Sequence, residues 1–428
     1  MQALVLTPML PPRGGLDVNG AYKRHALFIT ALSVVAKHIH VVHLVPPATI
    51  AELPDAVQLG RDQSAYWRCP VTVSLLPRRS RRETMWNHYG AGILAAAKQP
   101  SLYPFGGVEL ARAVRRCIDE AAPDIVLAMT LPAALVLRAS GARPRKIFFD
   151  VDDVPHRVRI RASLQSPLRL GTLAYLAHAP ALVVAAWRGA ALSRTTFTCS
   201  DLDRRHLLRW GIADNAVVIP NAIQPPAEPP PLPAEPTLLF LGAFHYGPNI
   251  EAAERLACRI LPLVRARLPG ARLLIAGDGS DRLPWAAGLA HVECLGFVPD
   301  LAGLYARSRV VCAPIVNGGG TRLKLIEAAA YAKPMVATHI GAEGLNFVDD
   351  EHILLRDRDA DIADACLRLL RNDSLAIHLG GAARILVLQQ YEAGAIGDRL
   401  ACLLSGETSP TPSHLQSSRE PYSTCPQP

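Results

Sequence analysis

The sequence has no C-x-x-C pair. Its nine cysteines are odd in number and scattered, which argues against a disulfide framework or a zinc knuckle and for buried, reduced thiols in a cytosolic protein. No segment reaches the roughly eighteen uncharged apolar residues of a membrane span, and the opening MQALVLTPMLPP has no basic stretch ahead of an apolar run. The nearest approach to a span, TLAYLAHAPALVVAAW (172–187), contains His178 and Pro180 and is expected to form a buried or membrane-facing helix pair instead. No nucleic-acid-binding motif accompanies the basic residues, and no catalytic triad or carboxylate pair stands out. The expected location is cytoplasmic, at most peripheral at the inner membrane face.

Half of the 428 residues are apolar, so the chain folds, and it is longer than one core usually supports. Charge is uneven: residues 1–224 hold 27 Lys and Arg against 15 Asp and Glu, and the remainder 18 against 22. Arg78-Arg79-Ser80-Arg81-Arg82 and Arg157, Arg159 and Arg161 suit an acidic membrane surface or a phosphorylated acceptor, and equally an ordinary solvated surface.

Short apolar runs at 3–6, 39–45, 71–76, 125–129, 146–151, 197–200 and 217–220 read as strands. They alternate with helical patterns at 21–37, 85–98, 108–121, after Pro132, and at 201–210. His38, His40 and His43 fit the alternation of a strand better than a metal site. At 225–236, PPAEPPPLPAEP has seven prolines in twelve positions, an extended, semi-rigid linker. The division is therefore a first domain over 1–224, the linker, a second domain over 237–404 whose last helices are able to pack back on the first, and a Ser, Thr and Pro-rich tail over 405–428 expected to be disordered. The second half repeats the plan, with strands at 238–241, 273–276, 292–295, 310–313, 335–338 and 353–355. Its helices fall at 250–267, 301–306, 321–331, 361–370 and 374–390. Strands separated by helices mean parallel sheets of βαβ units, with ligands at the carboxyl ends of the strands.

The stretch that organises the chain is PIVNGGGTRLKLIEAAAYAKPMVATHIGAE (314–343). A strand ends, three glycines follow, and a helix begins whose first turn is expected to hold Thr321, Arg322 and Lys324. Glycine lets the backbone approach a ligand, and first-turn N–H groups with the positive helix end face an anion. Glu327 lies one turn further in, at a depth suited to sugar hydroxyls. Taken alone, the glycines read more readily as an ordinary strand-to-helix turn with a solvated basic first turn.

Context gives them a meaning. FLGAFHYGPN (240–249), LLIAGDG (273–279), LGFVPDL (295–301), the glycine stretch and IGAEGL (340–345) together resemble the donor-binding half of the family 4, or group 1, glycosyltransferases. VIPNAI (218–223) is similar to the hinge segment before that half. GGLDVNG (14–20), FFDVDDV (148–154) and TCSDLDRRHL (198–207) match more faintly in the first half. The resemblance implies a GT-B fold, two Rossmann-like doubly wound domains facing a cleft. It implies that Glu327 binds the donor ribose, that amides near Gly319, Gly320, Thr321, Arg322, Leu323 and Lys324 hold the diphosphate, and that the Gly296–Asp300 loop, with Phe297, lies by the base. Gly242 ends the first strand of the donor half, and Gly14, Gly15 and Gly20 approach the donor phosphate across the cleft.

The departures are specific. Gly319 stands where the family carries a carboxylate that contacts the transferred sugar, and Ala243 and Phe244 stand where many members carry Arg and Lys. Arg322 and Lys324 are therefore expected to supply that positive charge. The family histidine is not obvious, and Asp152 and Asp153 occupy its region as catalytic candidates. Asp150-Val151-Asp152 as a metal-binding D-x-D is disfavoured in a two-domain chain. No metal and no cofactor are expected. The implied reaction is retaining transfer from a nucleotide sugar to a glycan or polyprenyl-linked acceptor, in surface polysaccharide or glycoconjugate synthesis. A nucleotide-sugar epimerase of GT-B fold and a non-catalytic nucleotide-sugar-binding subunit are the alternatives.

Overall fold

The computed structural model describes residues 1–10, 20–79, 102–154, 156–157, 160–161 and 170–406. The expected helix over 85–98, residues Gly14, Gly15, Ser80 to Arg82 and Arg159, and the tail beyond 406 lie outside the described residues.

The first domain is one parallel sheet of seven strands: β1 (Gln2–Thr7), β2 (His38–Val45), β3 (Val71–Pro77), β4 (Ile125–Met129), β5 (Lys146–Asp150), β6 (Thr195–Thr198) and β7 (Ala216–Val218), in the order β3-β2-β1-β4-β5-β6-β7. β4 is buried along its whole length, as is β1 beyond its first residue. That is why both read as unbroken apolar runs rather than alternating ones: helices cover both faces of the sheet. Helices Val108–Ala121, Thr130–Ser140 and Leu170–Ala190 pack on one side. Helix Gly20–Val35 packs on the other, joined by the last helix of the chain, Ala393–Ser405, which buries Ile396, Leu400 and Leu404 in the same cluster as Phe28 and Leu32.

The second domain repeats the winding with β8 (Thr237–Leu241), β9 (Arg272–Ala276), β10 (Val292–Cys294), β11 (Val310–Ala313), β12 (Met335–Ala337) and β13 (Leu354–Leu355), in the order β10-β9-β8-β11-β12-β13. In each sheet the order reverses beside the first strand. A doubly wound sheet opens a crevice at such a point. The chain passes between domains at two adjacent places: the Ile223 amide donates to Tyr391 (2.9 Å), and the Ala393 amide donates back to Ile223 (3.0 Å).

Several expectations need correction. TLAYLAHAPALVVAAW is not a helix pair but part of one continuous helix, Leu170–Ala190, with Pro180 inside it. An internal proline costs a backbone hydrogen bond without obliging a turn. Among the described residues, no helix is long and apolar enough to cross a membrane. Ser405 ends a helix rather than starting the tail. The helix Ala56–Trp67 was missed, because Gly60 and its polar residues blur the apolar period. The proline segment, expected as an extended and semi-rigid linker, is held against the second domain: Arg309 donates to the Pro233 carbonyl (2.6 Å), Lys333 to Pro231 (3.2 Å) and Arg384 to Pro226 (2.7 Å).

Candidate active site at the domain cleft

The site is built where β11 gives way to the glycine loop and the helix Leu323–Ala330. Gly318 is at φ +110, and a Cβ there would lie 2.7 Å from the Tyr246 hydroxyl, so only glycine fits. The helix begins two residues later than the sequence implies. Arg322 is its extended N-cap, and Thr321 precedes it. Arg322 therefore does not face the crevice as a free cation. It is buried and turns back on its own loop, donating to the carbonyls of Gly319 and Gly320, the latter at 2.8 Å. Burial lowers its affinity for the proton, with Tyr246, Asp153 and Glu343 opposing. The guanidinium holds the loop's shape. Arg322→Ala should cost about 2–3 kcal/mol, from lost hydrogen bonds to a charged donor, read as a lower urea midpoint.

Lys324 is directed elsewhere. Its Nζ donates to Asn249 Oδ1 (2.8 Å) and lies 4.2 Å from the centroid of the Phe240 ring. Burial pushes it down to about 7, aided by Arg322 and opposed by Glu327. Gly242 makes this possible, since a Cβ there would stand 2.9 Å from the Asn249 amide and 3.0 Å from Lys324 Nζ. First-turn amides of a helix have no intrahelical partner, so those of Leu323 and Lys324 complete a cationic cradle.

The other wall comes from the first domain. Helix Gly20–Val35 starts against the helix Leu323–Ala330: a Cβ on Gly20 would lie 3.7 Å from Leu323 Cβ. Two helix N-termini thus face one another. Lys23 reaches across and pairs with Glu327, which is nearly buried. Next in sequence, Arg24 makes a bidentate pair with Asp150 (Nε–Oδ2 2.8 Å, Nη2–Oδ1 2.5 Å) and donates to Ile219 O (2.9 Å) and Asn221 Oδ1 (3.1 Å). Burial opposes its charge, but Asp150 and Asp152 outweigh burial and raise its pKa. Asn221 then donates to Thr321 Oγ1 (2.8 Å). A continuous polar path joins β5, the first helix, the hinge and the glycine loop.

Asp150 is thus committed to arginine. Asp152 stands 3.6 Å from Arg24 in the left-handed region (φ 56), with 31% of its side chain open. Burial, tempered by Arg24, raises it to about 6. Asp153 is pushed up to about 7 by burial and by Asp152 and Asp203, against Arg322 and a hydrogen bond with the Gly320 backbone. Asp153 thus lies beside the glycine loop, with Gly318 and Gly319, whereas Asp152 lies beside Arg24. Phe297 is 54% exposed on its loop, while Asp300 spends its carboxylate capping the helix Leu301–Ala306, accepting from Gly303 N (2.9 Å). His38 pairs with Thr72, His40 with Ser74, and His43 with the Met9 carbonyl.

Sequence reasoning missed Lys23, Arg24 and Asn249. Their signals were available: a Lys-Arg pair in the helix behind a glycine loop, and an asparagine closing HYGPN after Gly242.

Two facing, doubly wound Rossmann-like domains with this cleft define the GT-B class, and solved structures share it. Sucrose-phosphate synthase from Thermosynechococcus elongatus superposes with TM-score 0.69 at 17% identity, covering 95% of this chain and 98% of that one. Anabaena HepE in complex with UDP and glucose gives 0.62 at 14%, covering 94% and 99%. Residues 235–372 match the family described as Glycosyl transferases group 1. The phosphatidyl-myo-inositol mannosyltransferase of Mycobacterium leprae (strain TN) is 32% identical over 207 residues, 45% of this chain and 54% of that protein. A Mycobacterium tuberculosis (strain CDC 1551 / Oshkosh) GDP-mannose-dependent alpha-(1-6)-phosphatidylinositol monomannoside mannosyltransferase is 29% identical over 163 residues, 34% and 42% of the two chains. The chain is thus similar to the group 1 glycosyltransferases over residues 235–372, and it shares the GT-B fold of the solved structures. The match spans about half the length of these curated relatives.

Proposed function

We propose that this protein is a retaining hexosyltransferase that moves a sugar from a nucleotide-sugar donor to a lipid-linked or glycan acceptor, in surface polysaccharide or glycoconjugate synthesis. The observation that carries this reading is the meeting of two helix N-termini across one cleft, at Gly20 and Leu323, with Lys324 behind them and Lys23 bridging to Glu327. A diphosphate seated there meets two positive helix ends, the first-turn amides of Leu323 and Lys324 and an ammonium group, the preorganised environment that stabilises a leaving group. Glu327 accepts the ribose hydroxyls once Lys23 releases it, and Phe297 borders the base. Asp152 and Asp153 orient the acceptor hydroxyl. The acceptor oxygen bonds to the anomeric carbon as the bond to the diphosphate breaks, and the departing phosphate oxygen takes the acceptor proton. Lipid-modifying relatives and a basic first half support an acceptor at an anionic cytoplasmic membrane face, with the protein bound peripherally.

A panel of nucleotide sugars that includes GDP-mannose and UDP-glucose tests this. One donor should raise the melting temperature and pass its sugar to a membrane lipid extract without altering free donor. Interconversion of the donor without acceptor would instead mark an epimerase. Glu327→Gln should weaken nucleoside diphosphate binding about tenfold, the order of one lost charged hydrogen bond, and leave pyrophosphate binding unchanged. Equal loss for both would contradict the ribose role.

A further inference from the structure

A cavity of about 10 Å³ lies between the domains beside the glycine loop, lined by Asp153, Arg157, Arg161, Asp203, Gly319 and Glu343. Glu343 follows β12, and its neighbour fixes its place. Gly344 is left-handed (φ +79), and a Cβ there would stand 3.1 Å from Ser200 Cβ and 3.2 Å from Thr321 Cγ2. The backbone after Glu343 is thus wedged between a helix cap of the first domain and the glycine loop of the second.

The charges in this cavity are not equivalent. Asp203 is engaged at home: it accepts from the Ser200 hydroxyl (2.6 Å) and pairs with Arg157 (2.8 Å), all within the first domain. Asp153 belongs to that domain too. Glu343 is the carboxylate that the second domain contributes to the cavity lining. It pairs with Arg157 and, at 2.6 Å, with Arg161, both across the cleft, and keeps 24% of its side chain open. Gly319 beside it offers no side chain.

A sugar whose diphosphate sits at residues 318–324 lies within reach of this cavity, because Gly318 and Gly319 of the same loop line it. Its hydroxyls there need acceptors, and a carboxylate offers two oxygens. A cavity of this size holds at most one water, so a hexose enters only by parting Glu343 from its arginines. The geometry points to Glu343 as the sugar-recognising residue of the donor half: it accepts hydrogen bonds from the hydroxyls of the transferred hexose, and Arg157 and Arg161 hold it while the site is empty. This inference rests on the nucleotide-sugar reading above.

The test compares nucleotide with nucleotide sugar on the same protein. Calorimetry with GDP and GDP-mannose, and with UDP and UDP-glucose, is run on wild type, Glu343→Gln and Arg161→Gln. Glu343→Gln should lose about tenfold in affinity for the nucleotide sugar that wild type binds, the order of a lost charged hydrogen bond, and less than twofold for the matching nucleoside diphosphate. Arg161→Gln weakens the interdomain pair but keeps the carboxylate, and should preserve the wild-type ratio of the two affinities. Equal losses on both ligands in Glu343→Gln, or the same change of ratio in Arg161→Gln, would make Glu343 a domain latch and overturn the assignment alone. Wild type binding none of the four ligands would overturn the assignment together with the donor-site reading beneath it.

Discussion

Arg24→Met is expected to destabilise the first domain by about 3–5 kcal/mol, because it strands a buried carboxylate. Asp150 has no exposed surface, and it receives both arms of the guanidinium. The side chain that leaves also serves Ile219 and Asn221, so the hinge and Thr321 lose their support in the same step. Chemical denaturation should show the loss directly. The double variant Arg24→Met with Asp150→Asn should recover part of it, since no unpaired charge then remains in the interior. A single variant as stable as wild type would mean that water reaches Asp150 and that the polar path between the domains is dispensable.

Lys324→Met should weaken nucleoside diphosphate binding by about tenfold to a hundredfold, the effect of deleting one charged hydrogen-bond donor. It should also remove a pH dependence. Burial holds Lys324 at about 7 in the empty protein, well below an ordinary lysine. A bound diphosphate favours the charged amine, so above about pH 7 binding takes up a proton, and wild-type affinity falls as pH rises. The folding linkage has the opposite sense. Between the depressed native value and the ordinary unfolded one the unfolded chain binds more protons, so stability gains from this group as pH rises through that window. Below it both states are protonated and the full burial penalty remains. Calorimetry in buffers of different ionisation enthalpy measures the uptake. Unchanged affinity and unchanged proton uptake in the variant would remove Lys324 from the site.

The fold was legible because its signals are local. Val310–Ala313 and Ile125–Met129 are continuous apolar runs, since both faces of a parallel strand are covered, and the glycines that follow β8, β9 and β10 mark the strand ends. The glycine loop was readable for the same reason: Gly318 has a conformation only glycine adopts cheaply. What the sequence could not convey is direction. Arg322 and Lys324 are two residues apart and chemically alike, yet one curls onto the loop carbonyls and the other meets Asn249 and Phe240. A two-residue shift in the helix start decides which of them faces the crevice. The pairs Lys23 with Glu327 and Asp150 with Arg24 join residues 304 and 126 apart, and no local pattern encodes such distances. The sequence disfavours Asp150 as half of a metal motif but does not name its partner, which is Arg24.

The central claim is that the glycine loop and the two helices that face each other there hold the diphosphate of the donor. Hydrogen exchange of the backbone, measured peptide by peptide with and without GDP or UDP, locates that contact with no assumption about sugar or acceptor. The nucleotide that binds should slow exchange in residues 314–330 and at the start of the helix Gly20–Val35, and leave the far ends of both sheets unchanged. Protection confined to other segments, with residues 314–330 exchanging as before, would contradict it.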